Sequence, residues 1–440
     1  MGTLGLTGVL DQASASAAAG PAAPHFPARA KRIIQLFMPG GPSAIDTFDY
    51  KPDIAKHAGE RPASVDLRSL RNTKGGLLKS PFEFSQHGQT GKWVSSIFPE
   101  TAKMVDDICF LHGMYTDIPE HAGGILMATT GHVQPIRPSL GSWLLYGLGT
   151  ESENLPGFVA LAPGNGPRGG KAVHSSAFLP SANSGVAVNL NGLSPESAMR
   201  DLKNSDLSIE AQREQVDLIS RLNRLHLKRR EQDDQLEASI ASMELAFRMQ
   251  AAVPEAFNID SETDLTKKLY GEKPFGKGCL LARRLVERGV RMVSVSGGND
   301  IAWDTHAKIA DHESRAADVD QGIAGLLRDL KLRGMLDDTL VIWGGEFGRA
   351  PTAEGSVGRD HNHYGYTMWL AGGGVKAGFD YGATDNFGLR AIEKRMHPHD
   401  LHATMLHLMG IDHTKLTYRH SGRDFRLTDV HGEVQHEIFA

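Results

Sequence analysis

Cysteine is nearly absent from this chain: Cys109 and Cys279 are the only two in 440 residues. Two thiols build neither a disulfide framework nor a cysteine-rich zinc site. No apolar run reaches the roughly 18 residues that a membrane-crossing helix needs, which excludes an integral membrane segment of that kind. Positive charge is not in excess, since Lys+Arg 47 against Asp+Glu 52 leaves a net charge of −5. Without a basic stripe, a dedicated nucleic-acid binder is excluded. What is present is a globular composition, 40% hydrophobic and 22% charged, which excludes a disordered or fibrous chain. Glycine (49) and histidine (20) are abundant, and 12 of the histidines lie beyond residue 300.

Residues 1–30 are small, rich in Ala, Gly and Pro, and weakly apolar. They read as the back half of an export signal, with A-x-A-like sites such as Ala13-Ser14-Ala15. No Lys or Arg precedes Arg29, so the charged opening of such a signal is missing. The expectation is an exported, periplasmic protein whose leader stands apart from the fold.

From residue 31 onward, short apolar runs end in glycine. Ile33–Met38, Ile108–Leu111, Arg291–Ser296, Thr339–Trp343 and Thr367–Ala371 read as buried parallel strands. Helical spacing occupies Ala122–Thr130, Cys279–Val286, Ser314–Leu332 and Asp400–Leu408. Strands alternating with helices predict a parallel sheet covered on both faces. Residues 198–252 contain no Gly but many Glu, Gln, Lys, Arg, Leu and Ala, and predict an inserted helical hairpin. Residues 163–170 (PGNGPRGG) and 181–192 read as loops.

In open α/β sheets, sites form beyond the carboxyl ends of strands. Asp304 and His306 follow the Val293 strand, two residues apart, and in extended backbone would point the same way. Glu346 and Arg349 follow the Trp343 strand. The glycines before Glu346 allow a sharp turn, and Arg349 can grip an anionic oxygen group with its fork of donors. His361 and His363, with Asp360 beside them, are the strongest signal, because imidazole is the commonest metal ligand and a neighbouring carboxylate can orient a ring. Asp304, His306, Glu346, His361 and His363 together offer the oxygen and nitrogen donors that suit zinc, manganese or iron; calcium is a further option. His121 opens the Ala122 helix, where an anion is favoured, and is a catalytic candidate. Asp46 and Asp49 read as ordinary turn residues, and His402 and His407 as packing or surface residues.

FMPGGPSAIDTFDYKP, TTGHVQPIRPSLGSWLLYGLG, WDTH, GGEFGRAPTAEGSVGRDHNHYGYTMWLAGGGVKAG, HDLHATMLHLMGI and LTYRHSGRDFRLTDVHGEV resemble domain-of-unknown-function family 1501. The resemblance runs from about Lys31 to the C-terminus. It implies a sulfatase-like member of the alkaline phosphatase superfamily, often exported by the twin-arginine route. The implied fold is one α/β domain, residues 31–440: a three-layer sandwich with a central, mostly parallel sheet and the helical insertion. It also implies a two-metal site, with Asp304 and His306 as one metal's pair, His361 or His363 completing it, and Glu346 as the acidic ligand after the next strand. Two departures stand out. Pro39-Gly40-Gly41 replaces the metal-binding Asp of the first strand, and His121-Ala122-Gly123 stands where a Ser, Thr or Cys nucleophile belongs.

The leading reading is a metal-dependent hydrolase of sulfate or phosphate esters, with zinc the first choice of divalent metal and a small-molecule or saccharide ester as substrate. Water activated by the metal would attack directly, since zinc lowers its pKa to about 7. The alternative is an exported, non-catalytic binding or scaffold protein that retains the fold.

Overall fold

The computed structural model describes residues 24–65, 74–193, 208–227 and 234–440. An eight-stranded sheet forms its middle. In chain order its strands are β1 (Arg32–Phe37), β2 (Ile108–Met114), β3 (Phe158–Ala162), β4 (Val186–Asn189), β5 (Met292–Ser296), β6 (Thr339–Gly344), β9 (Tyr366–Ala371) and β10 (Phe379–Tyr381). A separate antiparallel pair, β7 (Gly348–Glu354) and β8 (Gly358–Asn362), sits between β6 and β9 in sequence. The order across the sheet is β10-β2-β9-β6-β1-β5-β3-β4. Every neighbouring pair is parallel except those made by β9, which runs against both β2 and β6.

Continuous apolar strands demand cover on both faces. Ile34, Leu36, Val293, Val295, Val341 and Trp343 meet helices α5 (Pro274–Glu287) and α6 (His312–Leu332) on one face. Ile33, Met292, Leu340 and Ile342 meet α2 (Leu140–Leu148) and α7 (Pro398–Leu408) on the other. The molecule is therefore an α/β three-layer sandwich. Helix α1 (His121–Thr130) begins at a carboxylate cap: Glu120 accepts from the backbone N–H groups of Ala122 and Gly123. Helices α3 (Ile209–Leu227) and α4 (Asp234–Phe257) pack on each other as a hairpin beside edge strand β4.

Three features differ from the sequence-based expectation. Thr367–Ala371 lies in an antiparallel strand, because the β7–β8 hairpin sends the chain back across the sheet. Residues 181–192 contain strand β4, and β3 precedes it; both are too short and too rich in small residues to stand out by periodicity. The expected leader falls outside the described residues up to residue 23, while residues 25–30 lie on the body. His25, Arg29 and Ala30 donate their N–H groups to Gly410 or Leu408 at the end of α7. Residues 198–207 and 228–233 of the expected insertion also lie outside the described residues. No described helix is long and apolar enough to cross a membrane.

Candidate metal centre

Four side chains converge beyond the sheet's carboxyl edge: His121, Asp304, His306 and His361, with one ligand atom of each within 4.8 Å of the others. Each arrives by a different local device. Helix α1 starts at His121. The loop after β5 is anchored by Trp303, a fully buried ring whose backbone N–H donates to Pro39 O at 2.9 Å, and this sets Asp304 at the site. His306 follows two residues later. His361 stands on β8 opposite Arg349 of β7.

The three rings share one hydrogen-bonding arrangement. His121 Nδ1 lies 2.6 Å from Glu346 Oε1, His361 Nδ1 lies 2.7 Å from Pro119 O, and His306 Nδ1 meets Glu354. Carbonyl and carboxylate oxygens only accept, so each ring donates from Nδ1 and turns Nε2 towards the centre. His306 Nε2 and His361 Nε2 lie 3.0 Å apart. Asp304 Oδ1 lies 3.1 and 3.5 Å from those two nitrogens, and Asp304 Oδ2 lies 3.3 Å from His121 Nε2. His121 Nε2 is buried without a hydrogen-bond partner. In a tetrahedral site with bonds of about 2.0–2.1 Å, ligand atoms are roughly 3.3 Å apart, so these spacings fit one small cation. Two imidazole lone pairs facing each other repel unless a proton or a cation lies between them, and three nitrogens with one carboxylate suit zinc, manganese or iron.

The charge around the cluster points the same way. The Arg349 guanidinium lies 2.7 Å from Asp304, with Glu346 and Asp360 also acting on its charge. Burial works against the Asp304 carboxylate, but the nearby His121 and His361 rings and the charge of Arg349 outweigh it and hold this acid far below its usual range. Burial would also discharge His121, yet the two carboxylates beside it, Asp304 and Glu346, prevail and raise its pKa. A proton and a metal ion thus compete for His121 Nε2. His306 is shifted down, mainly by burial.

The remaining expected site residues lie elsewhere. Glu346 is 1% exposed and sits behind His121, its carboxylate accepting from Gly40 N at 2.9 Å as well as from the ring. His363 is outside the cluster. Strand β8 ends at Asn362, whose amide donates to Gly365, Gly388 and Leu389 carbonyls, and the turn so pinned carries His363 away to stack on Tyr364. Arg349, expected to hold an anionic group, is fully enclosed. Its guanidinium donates to the carbonyls of Gly40 and Gly41 and lies 2.7 Å from Asp304 Oδ1, which leaves no fork for a substrate. Asp360 accepts from the His361 backbone N–H and does not orient its ring. Glu354 and Pro119 were missed by the sequence reading. Glu354 closes β7 and Pro119 lies in the loop before α1, and neither sits in a spacing that marks a ligand partner.

Hydroxyl groups near the centre are turned inward. Ser43 is fully buried and bonded to Asp46, which itself pairs with Arg359 at 2.7 Å. Thr116 is 2% exposed.

No curated protein matches this chain. Among solved structures, the chain is similar to the lipoteichoic acid synthase LtaP from Listeria monocytogenes at 9% identity, covering 96% of this chain and 80% of that one, with a TM-score of 0.41. It is also similar to the PsFucS1 sulfatase from Pseudoalteromonas sp. (13% identity, 87% and 68% coverage, TM-score 0.35). A third is the alkaline phosphatase from the Antarctic bacterium TAB5 (12% identity, 86% and 98% coverage, TM-score 0.33). A family model described as "Protein of unknown function (DUF1501)" matches residues 30–439, nearly the whole chain, and the protein belongs to that family.

Proposed function

We propose that His121, Asp304, His306 and His361 bind one divalent transition-metal ion, and that the protein is a metal-dependent hydrolase of sulfate or phosphate esters acting outside the cytoplasm. The convergence of three Nε2 atoms, each ring held from behind through Nδ1, carries the reading. A bound ion of this class supplies Lewis acidity, polarising an ester oxygen and easing ionisation of water.

The chain's own residues do the rest. Glu346, Glu354 and the Pro119 carbonyl fix ring orientation and tautomer. Arg349 acts as a positioning residue, holding Asp304 in place and balancing its charge. Ser43 and Thr116 are enclosed, which favours direct attack by water. Arg168 is partly exposed, paired with Asp300 at 2.9 Å and acted on by the charge of Asp304, and offers a cation for an incoming anionic ester.

The enclosed hydroxyls also favour a second reading, a binding or scaffold protein that keeps the metal without turnover. Elemental analysis of the full chain, followed by a panel of sulfate and phosphate esters, separates the two. One transition metal per chain, lost in Asp304→Ala, together with ester turnover supports the hydrolase. A metal-replete but inert protein supports the binding protein, and a metal-free protein with unchanged melting in Asp304→Ala refutes both. Sequencing the mature N-terminus of protein from its natural host tests export.

A further inference from the structure

A cavity of about 960 Å³ lies between the sheet and the α3–α4 hairpin. None of the four clustered ligands lines it. Its floor comes from β1, β5, β3 and β4, and its roof includes Val216 and Ile219 of α3 and Phe247 of α4. Protein interiors rarely tolerate voids larger than a water molecule, and this one has the size and mostly apolar wall of a small-molecule pocket.

One polar group in the floor has no structural explanation. Gln35 interrupts the otherwise apolar centre of β1, is only 7% exposed, and faces the cavity. Its amide has no hydrogen-bond partner among the described residues. Ser294 is its direct neighbour on β5 and also faces the cavity. The amide reaches the solvent of the cavity, so a ligand that enters must replace the bonds water makes there, and a hydrogen-bonding group does so. Among the described residues the wall carries one formal charge, Lys171, which lies exposed. A ligand with its own buried charge would find no counter-ion on the floor.

We infer that this cavity is a binding site for an uncharged, largely apolar small molecule carrying one neutral hydrogen-bonding group, such as an amide, arylamine or hydroxyl, that pairs with Gln35. The site stands independently of the hydrolase reading, so metal-free and metal-loaded protein bind alike.

The test is titration of the full chain with N-phenyl-1-naphthylamine, a neutral apolar probe with one N–H donor and a fluorescence that rises in apolar surroundings. The expected result is a saturable rise at one probe per chain. Ala160→Trp fills the floor and weakens binding about tenfold or more, and Ile219→Trp does so from the roof should the first variant fold poorly. Gln35→Leu keeps the cavity but removes the hydrogen bond, and weakens binding about three- to tenfold. Circular dichroism confirms that each variant is folded. No saturable rise, or wild-type affinity in both tryptophan variants, overturns the site. Unchanged affinity in Gln35→Leu overturns the ligand class.

Discussion

Arg349→Lys separates a positioning role from a substrate-binding one. In the structure the guanidinium is wholly enclosed, bonded to two backbone carbonyls and ion-paired with Asp304 at 2.7 Å. Lysine keeps the charge but not the fork, so at least one of the Gly40 and Gly41 carbonyls loses its donor. An orphaned buried polar group costs about 1–3 kcal/mol, and a weakened buried ion pair adds to this, up to the roughly 3–5 kcal/mol of a broken one. A loss of about 2–5 kcal/mol is expected. Unfolding entropy of roughly 2.1 cal/mol/K per residue, over 440 residues, comes to about 0.9 kcal/mol/K, so the melting temperature falls by about 2–5 °C. Calorimetry reads this directly, and metal content measured alongside falls because Asp304 is no longer held. An unchanged melting temperature and metal content, with a raised KM for an ester substrate, would refute the positioning role and restore Arg349 to the substrate.

Three further outcomes are expected. Chelation lowers the melting temperature by about 3 °C if the ion is present at about 100 times its Kd, a linkage of about 2.7 kcal/mol; Asp304→Ala shows no such response, and an equal response in both counts against the cluster. Gly358→Ala places a Cβ 1.6 Å from the His306 carbonyl oxygen, so the backbone carrying that ligand must move; elemental analysis should show metal loss, with about 3 kcal/mol of destabilisation by denaturant titration. Burial keeps three histidines neutral, with His312 and His402 pushed down to about 3 and His397 to about 4. The unfolded chain takes up protons near pH 6.5 that the folded one refuses. Stability is therefore full above pH 6.5 and declines towards pH 4, by at most about 1.4 kcal/mol per pH unit for each histidine; equal melting temperatures at pH 7 and pH 5 would contradict this.

Much of the architecture was legible because buried strands leave a strong local mark. Ile33–Met38 and Thr339–Trp343 are largely apolar on both faces and are followed by glycines, so their burial in the sheet was legible from composition, though not their place within it. The direction of Thr367–Ala371 was not legible, since pairing sense depends on the hairpin before it and not on its own residues. At the candidate metal centre, the structure brings together Asp304 and His306, singled out by their spacing, and His361, singled out by its neighbours. His363 shared that spacing, but the i, i+2 rule holds only while the strand continues, and Asn362 ends it. Arg349 misled for another reason: a guanidinium looks the same in sequence whether it faces a substrate or the underside of a ligand. Gln35 was visible as a polar letter in an apolar strand, yet only the cavity above it makes that informative.

The position of β1 has a consequence for how the chain assembles. This strand is first in sequence but central in the sheet, and its partners are remote: Ile33 pairs with Met292 on one side and Leu340 on the other. At synthesis rates of about 5–20 residues per second, the first of those partners appears roughly 13–50 s after β1 itself. During that interval an apolar segment, Ile33-Ile34-Gln35-Leu36-Phe37, has neither ladder open to it. Non-local pairing of this kind is slow and leaves such segments exposed to mispairing. The nascent chain is thus expected to depend on a holding chaperone, and a fragment ending before residue 290 to aggregate rather than fold.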